Sequence, residues 1–151
     1  MTQLELWGDY ESPEPARKKT ELQLFVNEDD DSIAEHRIAR CVYAESLASS
    51  LPAVEALCVM IKNTKRPIAE IANDESVFES LCKESTRHEK LLVDYDDKGF
   101  QMCLRAVRNM RNGILADKIF GATRFHRADI SPEWANSIGT IAEIDGLMFY
   151  I

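Results

Sequence analysis

The chain has 151 residues, 45% of them hydrophobic and 29% charged, which suits one ordinary domain with its own core rather than a disordered segment. Its formal net charge of -8 lacks the basic footprint that a dedicated nucleic-acid binder needs. No apolar run is long enough to span a membrane, so no membrane insertion is expected.

The first ten residues are mixed and acidic, without the basic-then-apolar order of a secretion signal. The expectation is a protein made in the cytoplasm that works there or leaves by a route its sequence does not encode. Residues 1–31 read as a flexible acidic arm. Pro13 and Pro15 break regular structure, Arg17 to Lys19 is basic, Glu28 to Asp31 is acidic, and only Leu22 to Val26 suits a short strand. The domain proper then runs over 32–151.

Asp31 or Ser32 can cap a first helix over about 33–49. Pro52 opens a second helix that ends near Thr64. That helix is apolar almost all round from Val54 to Ile61, with Glu55 and Lys62 as its polar strip, and is expected to be the central one. Pro67 ends the region, and short helices are expected over 68–73 and 75–83. Residues 84–96 form a long polar loop, and long loops in compact domains tend to be functional. A helix over about 97–112 carries Phe100, Cys103, Leu104, Val107 and Met110 on one face, with Gly113 as its stop. Arg105, Arg108 and Arg111 read as solvated charges on its other sides. Beyond Gly121 the period changes, and Ala122 to His126 reads as a strand. Ser131 before Pro132 marks a helix start, and Asp145-Gly146 between two β-prone runs marks a hairpin closed by Leu147 to Ile151. The fold class is α+β, mostly helical, with a small C-terminal antiparallel β element.

The cysteines, Cys41, Cys58, Cys82 and Cys103, form no close pair, and His36, His88 and His126 complete no zinc spacing with them. Three of the four lie in apolar helical patterns and read as buried free thiols. Asp94, Asp96 and Asp97 lack the downstream glycine and glutamate of a calcium loop. No metal and no cofactor is expected.

One residue breaks the helical pattern. At roughly 100° per residue, Ala34, Ile38, Cys41, Val42 and Ala48 make one stripe, and Glu45 falls near its middle while Glu35, Arg37, Arg40 and Ser46 lie outside its centre. A carboxylate on a core face is costly unless paired, protonated or facing a cleft. In partly apolar surroundings its pKa rises, which suits a general acid near neutral pH. The alternative is a buried glutamate satisfied by an arginine or by backbone donors.

Five segments share an order and spacing: Tyr43-Ala44-Glu45-Ser46, Asn63 after the apolar helix, Gly121 to His126, Pro132-Glu133-Trp134-Ala135, and Phe149-Tyr150. Over about residues 37–151 the chain resembles the bacterial cell-wall hydrolase family of the spore-cortex-lytic enzyme type. That family carries a Tyr-Ala-Glu-Ala helix, then Gly-Ala-Thr-x-(Tyr/Phe)-His, a Pro-x-Trp-Ala segment and a terminal Phe-Tyr strand. The resemblance implies a lysozyme-like fold and cleavage of peptidoglycan glycan strands between N-acetylmuramic acid and N-acetylglucosamine, as a lytic transglycosylase or muramidase-like enzyme. Glu45 would protonate the glycosidic oxygen and then, as a carboxylate, take the proton from the muramoyl 6-hydroxyl, leaving a 1,6-anhydro sugar.

Such an intramolecular attack needs no activated water, so one acid/base suffices where ordinary glycosidases use two carboxylates. The sequence offers no second carboxylate in an equally distinctive setting: Glu55 and Glu70 read as solvated, and Asp145 as a turn residue. His126 would lie near the cleft, donating to a sugar or orienting Glu45, or else bond backbone at a strand end. Trp134 and Tyr150 offer sugar rings a flat apolar platform, or else pack in the core. Asn63 would bond a helix end or the cleft, and Arg124, at the variable position of the Gly-Ala-Thr motif, completes the substrate-binding set. Tyr43 lies two residues from Glu45, points elsewhere and reads as packing.

The chain departs from the family pattern at Arg87 to Leu92, where a Gln-Phe-Ser-like segment with a nearby Trp is usual and would help form the glycan groove. Ser46 stands for a common Ala and Asp145 for a usual Gly. The rival expectations are an inactive family member that binds glycan or a protein, and a helical interaction protein that uses the acidic arm. The enzyme would meet its substrate at the cell wall or periplasm, after release through a pore in phage-type lysis or by signal-less export.

Overall fold

The computed structural model of the protein describes residues 30–151, so the arm expected over 1–31, with its strand at Leu22 to Val26, lies outside the described residues except for its last two positions. Those two belong to the first helix. α1 runs Asp30–Ser46, so Asp31 and Ser32 sit in its first turn rather than capping it. α2 spans Leu51–Thr64, α3 Ile68–Ile71 and α4 Lys98–Arg111. Short 3-10 helices cover Glu79–Leu81, His88–Leu92 and Glu133–Ser137. Three strands, β1 (Arg124–Arg127), β2 (Ala142–Ile144) and β3 (Leu147–Tyr150), form one antiparallel sheet in the order β1-β3-β2. The mostly helical α+β class read from the sequence is the observed one.

α1 ends three residues earlier than its apolar stripe suggested. Leu47 and Ala48 both take left-handed φ angles, 55° and 53°, which breaks the helix. The reversal is braced by Ser46, whose hydroxyl donates to Val42 O at 2.7 Å and accepts from Ala48 N at 3.0 Å. Ser50 then caps α2 by accepting from Ala53 N, with Pro52 in the first turn as expected.

α2 buries eight residues, from Ala53 to Ile61, yet the hub of the fold is α1. α1 packs on α2, α3, α4 and the two 3-10 helices between α3 and α4, whereas α2 meets α1, α4 and β2. Arg40, outside the centre of the apolar stripe, is buried nonetheless, because the 84–96 loop folds over that side of α1. Arg40 donates to Leu91 O and Val93 O at 3.1 and 2.8 Å, with its guanidinium over the Phe100 ring. His36 is buried beside it and donates to Ser32 O. Arg108 and Arg111, read as solvated, reach back to Glu35 on α1. Cys41, Cys58 and Cys103 are buried free thiols, as read, and Cys82 is half-buried.

The sheet closes one end of the core. In β1, Phe125 and Arg127 face inward while Arg124 and His126 face outward, the period-two alternation of a half-buried strand. Phe125 pairs with Phe149 and Arg127 with Leu147. Asp145 and Gly146, with φ of 47° and 85°, make the tight turn between β2 and β3, and Ser50 donates to the Asp145 carboxylate.

Where α4 crosses the end of α1, it presents Gly99. A Cβ there would stand 2.8 Å from the Ala48 Cβ and 3.2 Å from the Tyr43 ring. Gly→Ala inside a helix ordinarily stabilises by about 1 kcal/mol. At Gly99→Ala the clash reverses the sign, and urea unfolding should give a loss of about 1–3 kcal/mol.

Candidate functional site

Beside the sheet lies a cleft of about 420 Å³. Glu45 from α1, Thr64 at the end of α2, Arg66 just beyond it, Glu75, Ser76, Val77 and Glu79 after α3, Thr123 and the β1 residues Arg124 to Arg127 line it, with Ile130, Pro132 and Trp134. Elements more than 80 residues apart thus converge on one surface.

Glu45 forms part of this cleft and is also almost fully buried, its side chain 1% exposed. Oε1 accepts from Arg127 Nη1 at 2.7 Å, and Oε2 accepts from the Ser80 amide at 2.8 Å. The arginine and the backbone donor named as alternatives for a buried Glu45 are therefore both present, in the same residue that lines the cleft. The surroundings are more than partly apolar: the core closes over this end of α1 and leaves Glu45 2% exposed. Burial holds the Glu45 proton above the ordinary carboxylate range, against the lowering pull of the Ser80 amide and Arg127.

Arg127 is itself buried and shared. Nη1 serves Glu45, Nη2 serves Glu79 at 2.8 Å, and Nε serves Asp129 at 3.0 Å. Three carboxylates thus surround one guanidinium. Burial alone would weaken the hold of Arg127 on its proton, but Glu45, Glu79 and Asp129 outweigh it and raise its pKa. Glu79 is partly exposed, lines the cleft and accepts a further bond from Ser85 Oγ at 2.7 Å. The sequence reading missed Arg127, Glu79 and Ser80. A signal for Arg127 was present: it shares parity with Phe125 on β1, and a buried carboxylate elsewhere in the chain needs a buried cation. Nothing local marks Glu79, which reaches the site only through the loop between α3 and α4.

The segment Arg87 to Leu92 does not form the groove, contrary to expectation; none of its residues lines the cleft. It works from behind. Arg87 Nη1 donates to Ala44 O and Glu45 O, both at 2.9 Å, satisfying carbonyls at the C-terminal end of α1. His88 Nδ1 donates to Ser80 O at 2.9 Å and so holds the residue whose amide binds Glu45.

Three of the expected substrate residues do line the cleft: Arg124, His126 and Trp134. His126 does not touch Glu45. Its Nδ1 donates to Arg127 O at 2.8 Å, and its Nε2 lies 2.8 Å from the Tyr150 hydroxyl. Trp134 stands edge-on to both rings, and the Arg124 guanidinium lies 3.9 Å over its face. Two expectations are corrected. Tyr150 is 4% exposed and outside the cleft lining, because it stacks on His126 from the core side. Asn63 is also outside it: its amide donates to Ala122 O at 3.0 Å and to Asp117, tying the end of α2 to the approach to β1. Glu55 and Glu70 are not in the lining either.

Among the described residues no group of three His, Cys, Asp or Glu side chains could hold a metal ion, and no helix is long and apolar enough to cross a membrane. No family model matches the chain, and no curated protein or solved structure matches it.

Removing Arg127 leaves Glu45 buried with only the Ser80 amide. For Arg127→Met, urea unfolding near neutral pH should give a loss of about 3–5 kcal/mol. Because the Glu45 pKa is raised, its neutral form is the one the fold favours. The penalty therefore fades below the unfolded value of about 4.3 and grows as pH rises through the folded one. A loss independent of pH would contradict this account.

Proposed function

We propose that the protein cleaves peptidoglycan glycan strands with Glu45 as its acid/base, in a lysozyme-like manner and most simply as a lytic transglycosylase. The observation that carries this reading is the crowding at Arg127. A single guanidinium faces Glu45, Glu79 and Asp129, so the cluster holds three negative groups against one positive. Uptake of one proton relieves that excess. The proton goes to Glu45, the most buried of the three, whose proton affinity burial has already raised. Arg127 then keeps Glu79 and Asp129 as partners, and the Glu45 carboxylic acid can turn its proton toward a glycosidic oxygen in the cleft. After the glycosidic bond breaks, Glu45 is a carboxylate; it takes the proton of the muramoyl 6-hydroxyl as that oxygen bonds to C1, and so ends protonated as it began. His126 and Trp134 would bound the sugar on the sheet side, Trp134 with a flat ring suited to a pyranose face.

One observation favours a second reading, a glycan- or protein-binding module without turnover: both Glu45 oxygens already have partners. Digestion of purified sacculi separates the two. The enzyme should release muropeptides ending in a 1,6-anhydro sugar, detected by mass spectrometry. Glu45→Gln, which keeps the shape of the side chain, should cut release by about 10²-fold or more, the usual worth of a general acid. Binding of sacculi without release, from several cell-wall types, would establish the module instead.

The pH profile tests the same chemistry. The acid must start protonated, so the rate should fall as pH rises through the pKa of Glu45. In Glu79→Gln one negative neighbour is lost and Arg127 is drawn more fully to Glu45. Both effects lower the Glu45 pKa, so that limb should move to lower pH. An unmoved limb would detach Glu45 from the rate.

A further inference from the structure

The charged residues of the cleft are unequally committed. Of the arginines that line it, Arg66 binds Glu70 and Asp74, and Arg127 binds Glu45, Glu79 and Asp129. Arg124 is exposed and has no carboxylate partner among the described residues. Its guanidinium lies over the Trp134 ring, with 3.9 Å from the central carbon to the ring centroid. A guanidinium held over a ring in this way keeps N–H groups for a bidentate acceptor. On the strand Arg124 shares the outward face with His126, while Arg127 points to the other face; all three line the cleft.

Glu75 and Glu79 also line the cleft, Glu79 already bound to Arg127, so among the lining arginines Arg124 is the one without a carboxylate partner to compete with a negatively charged ligand group. We propose that Arg124 and Trp134 form a subsite for a carboxylate carried by the strand, placing anionic glycan, rather than an uncharged N-acetylated chain, as the substrate class of the cleft. This rests on the glycan-cleavage reading above. A peptidoglycan strand can offer that carboxylate from its peptide stem, or from the lactyl group of muramic acid once the stem is removed; the chemistry at Arg124 is the same.

Titration calorimetry in the Glu45→Gln background, where strands stay intact, tests the subsite with three probes: peptide-bearing strands, stem-free strands and chitooligosaccharides. Adding Arg124→Leu should weaken binding of carboxylate-bearing strands about tenfold or more, as expected for a charge-assisted pair. Binding of the uncharged chitooligosaccharide should be unchanged. Arg124→Lys should recover part of the affinity through charge alone. A loss confined to peptide-bearing strands assigns the carboxylate to the stem, a loss confined to stem-free strands assigns it to the lactyl group, and a loss on both shows that Arg124 takes either. Equal affinity with and without Arg124→Leu, or an equal loss on chitooligosaccharide, would overturn the proposal. Sacculus digestion by the protein that keeps Glu45 is scored alongside. Release with an Arg124-independent affinity sinks only the subsite, whereas neither release nor binding of any strand sinks the cleavage reading as well.

Discussion

The contact between Glu45 and Arg127 organises this protein. It joins side chains 82 residues apart, the first helix to the first strand, at a point where neither is open to solvent. Two charges brought out of water stabilise a fold only weakly in net terms, but each holds the other in place, since either one alone would be an uncompensated buried ion. The other features of the site follow from that constraint. The Ser80 amide completes Glu45, Glu79 and Asp129 complete Arg127, and the 84–96 loop, through Arg87 and His88, steadies both the helix end and the Ser80 turn.

The same arrangement separates structural from chemical duty within one residue. Glu45 is fastened like an internal ion-pair partner, yet it belongs to the surface of the cleft. What distinguishes it from an inert pair is the excess of carboxylates around Arg127. A guanidinium with a single partner would hold that partner ionised; one divided among three leaves the most buried of them closest to accepting a proton. The platform of His126, Tyr150 and Trp134 is fastened in its own way, ring against ring, with the outermost ring presented to the cleft and Tyr150 kept behind.

Much of this was legible in the residues, and the misses have physical causes. The helices at 51–64 and 98–111, the strand near 124 and the Asp145-Gly146 turn were readable because each carries a local signal: a proline in a first turn, an apolar face ending at a glycine, a period of two, a turn dipeptide. The end of α1 was not, because Leu47 and Ala48 adopt backbone angles that their side chains disfavour, held by contact with α4. The burial of Arg40 was not legible because a stripe computed on one helix knows nothing of the loop that covers its far side. In the site, Glu45 announced itself as a carboxylate on a core face, but its partners did not. Glu79 enters by tertiary placement of an irregular loop, and Tyr150 and Asn63 sit behind the wall they were expected to form.

The sequence distance across the central pair bears on how the molecule is made. A ribosome delivers α1, α2 and α4 long before residue 127. Until β1 emerges, Glu45 has no countercharge, so the helical half must either keep that position wet or hold the glutamate protonated. The groove is therefore complete only once β1 has joined the helices and brought Arg127 to Glu45.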